Sequence, residues 1–231
     1  MEVKGLSRYH NALGWLSAVL MLVSLYAIFQ YAPLEKTMRE VQKIFYIHVG
    51  AAWNAFLAFF VVFVASILYL RTRDRKWDTL AAASAEVGVL FTTLVLITGP
   101  IWARSAWNTW WTWEARLTTT LVLWFIYMAY FLVRAGVAEP VRRSVLSAVF
   151  GIIGFLDVPI VYIAVKLWGY HPLVFGKEGG GLHPKMLHAL IVTVFAFTAL
   201  YVYLMQKGVA LENTRLALQD LKDRLREKFD Q

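Results

Sequence analysis

The chain has 231 residues, of which 59% are hydrophobic and only 16% charged; it carries ten Trp, fifteen Phe, no Cys and a formal net charge of +8. A water-soluble domain has about one quarter charged residues, so this composition excludes an ordinary soluble enzyme and a disordered chain. The missing thiols exclude disulfides, thiolate metal sites and cysteine nucleophiles.

Apolar blocks separated by short charged stretches predict an all-α polytopic membrane protein with six transmembrane helices. In chain order the spans run over Asn11–Ala32, His48–Leu70, Leu80–Ile101, Leu117–Val133, Ser144–Trp168 and Met186–Gln206. The first is too long for a signal-peptide core and lacks a small-residue cleavage site after it, so it is expected to be retained. The fourth is short and is expected to extend to Arg134, whose long side chain can snorkel. The basic residues divide unevenly between the two sides. The N-terminus, the Arg71–Lys76 cluster, the Arg134–Arg143 loop and the C-terminal tail hold fifteen of the 23 Lys and Arg. That side is expected to be cytoplasmic, with both termini inside. The charge of +8 therefore reads as topology against a lipid bilayer and not as a nucleic-acid surface. After the last span, Leu211, Leu218, Leu221 and Leu225 recur near helical spacing between charged residues, which predicts a cytoplasmic amphipathic helix. The expected division is a six-helix domain over 1–206 and the C-terminal helix over 207–231. Nucleotide-binding glycine motifs are missing from the sequence.

Between the third and fourth spans, five tryptophans fall in the segment 102–113. Gly99-Pro100 is a natural place for the third helix to end or bend. Trp107, Trp110, Trp111 and Trp113 then could share a face of an interfacial helix and make a platform for a large planar ligand. An aromatic interface belt and a protein-docking surface are the alternatives. Arg104 and Arg116 flank the segment and suit carboxylates, or lipid phosphates. Glu114 is a partner for one of them or for an indole N–H.

His48, at the start of the second span, and His183, after Gly179-Gly180-Gly181 and before the sixth, are both expected at the outer face. Two neutral imidazoles on opposite sides of a macrocycle would ligate haem iron. His171 and His188 lie in the same region, while His10 is expected to be incidental. Glu86 and Asp157 fall inside spans, where a carboxyl group needs a partner or a function.

These segments carry a resemblance. Trp107-Asn108-Thr109-Trp110-Trp111-Thr112-Trp113-Glu114-Ala115-Arg116-Leu117-Thr118 is similar to the tryptophan-rich motif of the haem-handling proteins of cytochrome c assembly, and most closely to the haem exporter protein C (CcmC) group. Tyr46-Ile47-His48-Val49 with Ala51-Ala52-Trp53, and His183-Pro184-Lys185-Met186-Leu187, match two further family segments. The family motif usually has Asp where this chain has Glu114, and Gly where it has Asn108. The resemblance implies that His48 and His183 ligate a haem b, that Trp107, Trp110, Trp111 and Trp113 form its platform, and that Arg104 or Arg116 holds the propionates. It also implies a site on the outer face of the cytoplasmic membrane. From there haem is presented to a membrane-tethered chaperone like CcmE, with an ATP-binding subunit and second permease like CcmA and CcmB, and a small single-span protein like CcmD. No independent catalytic activity is expected; the chain would promote covalent haem attachment to the chaperone. The rival readings are a haem-b electron-transfer subunit, a transmembrane haem permease and a docking scaffold.

Overall fold

The computed structural model describes residues 2–167 and 182–229, with the side chains of 12–164 and 182–229. The described residues are almost entirely helical: α1 (Glu2–Tyr26), ending in a wider π-helical turn (Ala27–Tyr31), α2 (Gln42–Thr72), α3 (Arg75–Trp107), α4 (Ala115–Gly136), α5 (Pro140–Leu167) and α6 (Pro184–Phe229). All six are long and apolar enough to cross a membrane. At 31 residues, α2 reaches about 46 Å at 1.5 Å per residue, beyond the ~30 Å of hydrocarbon. Six crossings return the chain to the side on which it began.

The helix boundaries follow from local chemistry. Asp74 caps α3, its carboxylate accepting the Lys76 N–H at 3.0 Å and lying 2.8 Å from the Lys76 ammonium. The two contacts to Lys76 hold the Asp74 carboxyl below its ordinary value. At the junction of α2 and α3, Arg73 adopts the left-handed conformation, with φ of 57°, and closes α2 through its N–H to the Tyr69 carbonyl. The fourth helix begins two residues before its expected span and includes Arg134, as the short apolar run required.

The inner helix is α2, which packs against α3, α5 and α6; α1 lies outside on α6, and α4 pairs with α5. Small residues permit the close approaches. A Cβ at Gly88 would stand 2.6 Å from the Phe59 ring, and one at Gly151 would stand 2.7 Å from the Ser66 hydroxyl, so α2 meets both neighbours nearly backbone to side chain. Phe59 stacks on Tyr127 with centroids 3.9 Å apart, filling the middle of the bundle. Hydroxyls tie helices where no water competes. The Ser84 hydroxyl contacts the Ala58 carbonyl at 2.8 Å and the Tyr201 hydroxyl at 2.9 Å, and Ser24 donates to Thr193 at 2.9 Å.

Two features differ from the sequence expectations. The third helix passes Gly99-Pro100, where an end or bend is expected, and the expected limit of its span at Ile101, and continues to Trp107. Proline removes only one backbone N–H, a loss that a membrane helix packed against neighbours tolerates. Arg134 does not reach for a headgroup. Its guanidinium donates to both Asp78 carboxylate oxygens, at 2.7 and 3.2 Å, and approaches Glu212 at 3.5 Å. This joins α3, α4 and α6 at one end of the bundle. The sixth helix runs unbroken for 46 residues, carrying the amphipathic stretch beyond the span with Leu211, Leu218, Leu221 and Leu225 exposed.

Candidate functional site

The opposite end of the bundle gathers the residues singled out above. The first turns of α2 and α6 are neighbours: Tyr46, 1% exposed, is buried in one cluster with Met186, Ala189 and Leu190, and Ile28 of the π-helical turn joins them. His48 lies two residues beyond Tyr46, and His183 immediately precedes α6. Both histidines therefore stand at the same end of the bundle.

Across from His48, the end of α3 and the start of α4 enclose a cleft with about 590 Å³ of open space, walled by Phe45, His48, Val49, Gly99, Pro100, Trp102, Trp107, Trp110, Trp111, Glu114 and Arg116, among others. A second apolar cavity, with about 760 Å³ of open space, continues from His48, Pro100, Trp111 and Arg116 between α2, α3, α4 and α5, lined by Ala55, Thr92, Leu123, Val161 and Tyr162 among others. His48 and Arg116 border both.

The tryptophan segment is not an interfacial helix. Helical structure stops at Trp107, Asn108 turns left-handed with φ of 58°, and residues 109–114 form an irregular return before α4. Trp113 also has a positive φ, 53°, an unusual conformation for a bulky residue and one that surrounding contacts must hold. The indoles consequently meet edge to face: Trp102 and Trp107 at 5.0 Å and 86°, Trp111 and Trp113 at 5.7 Å and 80°. Trp102, Trp107, Trp110 and Trp111 form walls of the cleft and not a flat slab, and Trp113, expected in the platform, does not border it. Trp110 and Trp113 are exposed, at 59% and 70%, while Trp102 is buried at 8%. Sequence reasoning ended the third span at Ile101, just before Trp102, and left Trp102 out of the platform. Once α3 is continuous, Val95, Gly99 and Trp102 recur at helical spacing, the signal that would have found it.

The charged residues divide in role. Arg104 is engaged locally, its Nη1 donating to the Asn108 carbonyl at 2.7 Å and to Asn108 Oδ1 at 2.6 Å, with its guanidinium carbon 6.0 Å from the Trp110 ring. A cation there also complements the negative end of α3. Arg116 instead lines the cleft. Glu114 precedes α4, and its Oε1 is buried in the cleft wall without a hydrogen-bond partner among the described residues, as is the Trp111 Nε1. A buried donor and a buried acceptor left open beside an arginine suit a ligand with a polar edge.

His48 is part-buried, with Nδ1 2.9 Å from the Thr98 hydroxyl. His183 is exposed, does not line the cleft, and its Nδ1 accepts the Lys185 N–H at 3.2 Å. His188 is engaged elsewhere, 3.1 Å from the Tyr31 hydroxyl and stacked on that ring. His171 lies outside the described residues. Glu86 is exposed on α3, and Asp157 is buried on α5 with Oδ2 unpartnered among the described residues. Neither borders either cavity.

Fold and site together define a polytopic helical membrane protein with an aromatic, histidine-bordered cleft at one end. The sequence pattern of the family described as Heme exporter protein C matches residues 3–222. The chain is 32% identical to the Heme exporter protein C of Bradyrhizobium diazoefficiens over 92% of this chain and 82% of that protein. It is 28% identical to that of Rhodobacter capsulatus, over 97% and 96% respectively, and 26% identical to that of Escherichia coli K12, over 84% and 82%. The chain belongs to the Heme exporter protein C family. Membership implies a role in haem handling for cytochrome c maturation, within the Ccm haem-delivery system, for a multi-pass inner-membrane protein.

Proposed function

We propose that this chain binds haem b at the aromatic cleft on the extracytoplasmic face and presents it to a membrane-tethered chaperone of the CcmE type. The observation that carries this reading is the shared wall. His48, Arg116, Trp111 and Glu114 converge on one apolar cleft, with an indole N–H and a carboxylate oxygen buried there and unpartnered. His48 and His183 are the axial ligands in this reading, drawn from neighbouring helix ends. Trp107, Trp110, Trp111 and Trp113, with Trp102 behind them, shield the apolar faces of the macrocycle. Arg116 pairs with a propionate, which can also take the Trp111 N–H; Arg104 acts by holding the end of α3. The basic-residue count supports an outer position for this end. The partners are an ATP-binding subunit and second permease of the CcmA and CcmB type and a single-span protein of the CcmD type. The domain doing this work is 1–206, and 207–231 is a cytoplasmic arm.

Presentation is favoured over passage through the bundle. The inner cavity reaches Thr92 and Leu123, and in the next turns the Phe59–Tyr127 stack and the fully buried Tyr130 fill the space between helices.

The test is the absorption spectrum of the purified chain and of His48→Gly and His183→Gly. The parent is expected to show six-coordinate, low-spin haem, and each variant to lose that spectrum or most of its haem. Unchanged axial ligation in either variant removes that histidine from the site.

A further inference from the structure

His48 and His183 are held by their Nδ1 atoms in opposite ways. Thr98 Oγ1 lies 2.7 Å from the Leu94 carbonyl oxygen, one turn earlier in α3. Two oxygens approach that closely only with a hydrogen between them, so the hydroxyl proton of Thr98 is committed to Leu94. Toward His48 Nδ1, 2.9 Å away, the same oxygen can then only accept, and Nδ1 must carry the imidazole proton. The ring edge is also positioned: a Cβ built on Gly99 would touch His48 Cε1 at 3.4 Å, so the imidazole lies against the α3 backbone. Nε2 makes no hydrogen bond among the described residues and is left with its lone pair, in a side chain that borders both cavities. His183 is the reverse case. Its Nδ1 lone pair receives the Lys185 N–H at the first turn of α6, so its neutral ring carries the proton on Nε2.

We propose that Thr98 is a positioning residue that holds His48 in the Nδ1–H tautomer, presenting a bare Nε2 to the iron of the cargo, so that His48 is the pre-set ligand and His183 the one that must rearrange. This rests on the haem reading above and adds to it an outer-shell partner of the kind that orients metal-binding imidazoles. Nothing in the tryptophan motif signals it, because Thr98 lies upstream of that segment and meets His48 only through the packing of α2 on α3.

The experiment uses the full chain purified in detergent with its haem, as parent, Thr98→Val, Thr98→Ser and His48→Gly. Three readouts are taken: the rate of haem loss to an excess of apomyoglobin, the electron paramagnetic resonance of the ferric form, and the reduction midpoint. Valine keeps the shape of threonine and removes the hydroxyl, and with it both the acceptor for His48 and the bond donated to Leu94. Thr98→Val is expected to lose haem about tenfold faster, the low end of the 10–100-fold seen for such partners. Its midpoint should shift upward, because the ligand loses the electron density that the Nδ1–H bond supplies. Thr98→Ser should restore both values, while thermal unfolding of the three chains stays alike. If Thr98→Val matches the parent in off-rate, resonance and midpoint while His48→Gly loses its axial ligand, the role of Thr98 is overturned and the haem site stands. If His48→Gly itself keeps the parent's ligation, the underlying haem reading fails first. A Thr98→Val defect that serine does not correct assigns Thr98 to packing and also overturns the proposal.

Discussion

The two ends of this helical bundle handle polar groups in contrasting ways. Where α3 begins and α4 ends, Asp78 and Arg134 form a two-pronged ion pair with side chains 9% and 12% exposed, Glu212 stands beside it, and the Tyr130 ring lies 5.7 Å from the guanidinium. Where α3 ends and α4 begins, Arg116 and Glu114 line a cleft, Glu114 Oε1 and the Trp111 N–H are buried without partners among the described residues, and four of the five tryptophans of the segment border open space. One end satisfies its charges internally and so fastens three helices. The other leaves a carboxylate oxygen and an indole N–H open in a cleft wall, whereas the buried atoms without hydrogen-bond partners near the paired end, among them Tyr130 Oη and Arg143 Nε, border neither cavity at the His48 end. The contrast marks the end whose charges fasten the bundle and supports the site proposed at the other.

Substitutions can break or sharpen that contrast. The largest effect is expected from His48→Gly, which should abolish most haem retention while the melting temperature of the haem-free chain changes little. A large loss of thermal stability in the haem-free chain would instead make His48 a packing residue. Next comes Asp78→Ala at the paired end, which strands a buried guanidinium and should cost about 3–5 kcal/mol of stability. Haem ligation in the chains that remain folded should be unaltered, so a changed spectrum in Asp78→Ala would show that the two ends are coupled. Gly88→Ala, midway between them, forces the Phe59 ring away from Tyr127 and should cost about 1–3 kcal/mol, read as a lowered midpoint in detergent unfolding. The smallest effect is expected from Arg104→Gln. Losing the bonds to Asn108 should cost less than about 1 kcal/mol and reduce haem retention by less than Arg116→Gln does. The reverse order for the two arginines would return Arg104 to the ligand.

Much of the architecture was legible in the residues alone, since hydrocarbon thickness dictates the length of each apolar run and permits only helices between short loops. Six spans, the extension of the fourth helix and the continuation of the sixth into an amphipathic arm all follow from that constraint. The site was legible as residue types in one segment, but its shape was not. The residues read as an interfacial helix over Trp107–Trp113, whereas α3 continues through Pro100 to Trp107 and leaves Trp110, Trp111 and Trp113 in an irregular return, the indoles meeting edge to face.

By itself, then, the amino-acid order determined the number of crossings, the charge asymmetry between the two sets of loops and the presence of an aromatic, histidine-bearing segment, because hydropathy and charge act along the chain. Only the tertiary structure decided that Arg134 pairs with Asp78 from 56 residues away, that Thr98 meets His48 across 50, and that Arg116 faces the cleft while Arg104 closes a helix. Those are contacts between helices, and in a medium without water a hydrogen-bonding group takes whichever partner the packing brings within 3 Å or so.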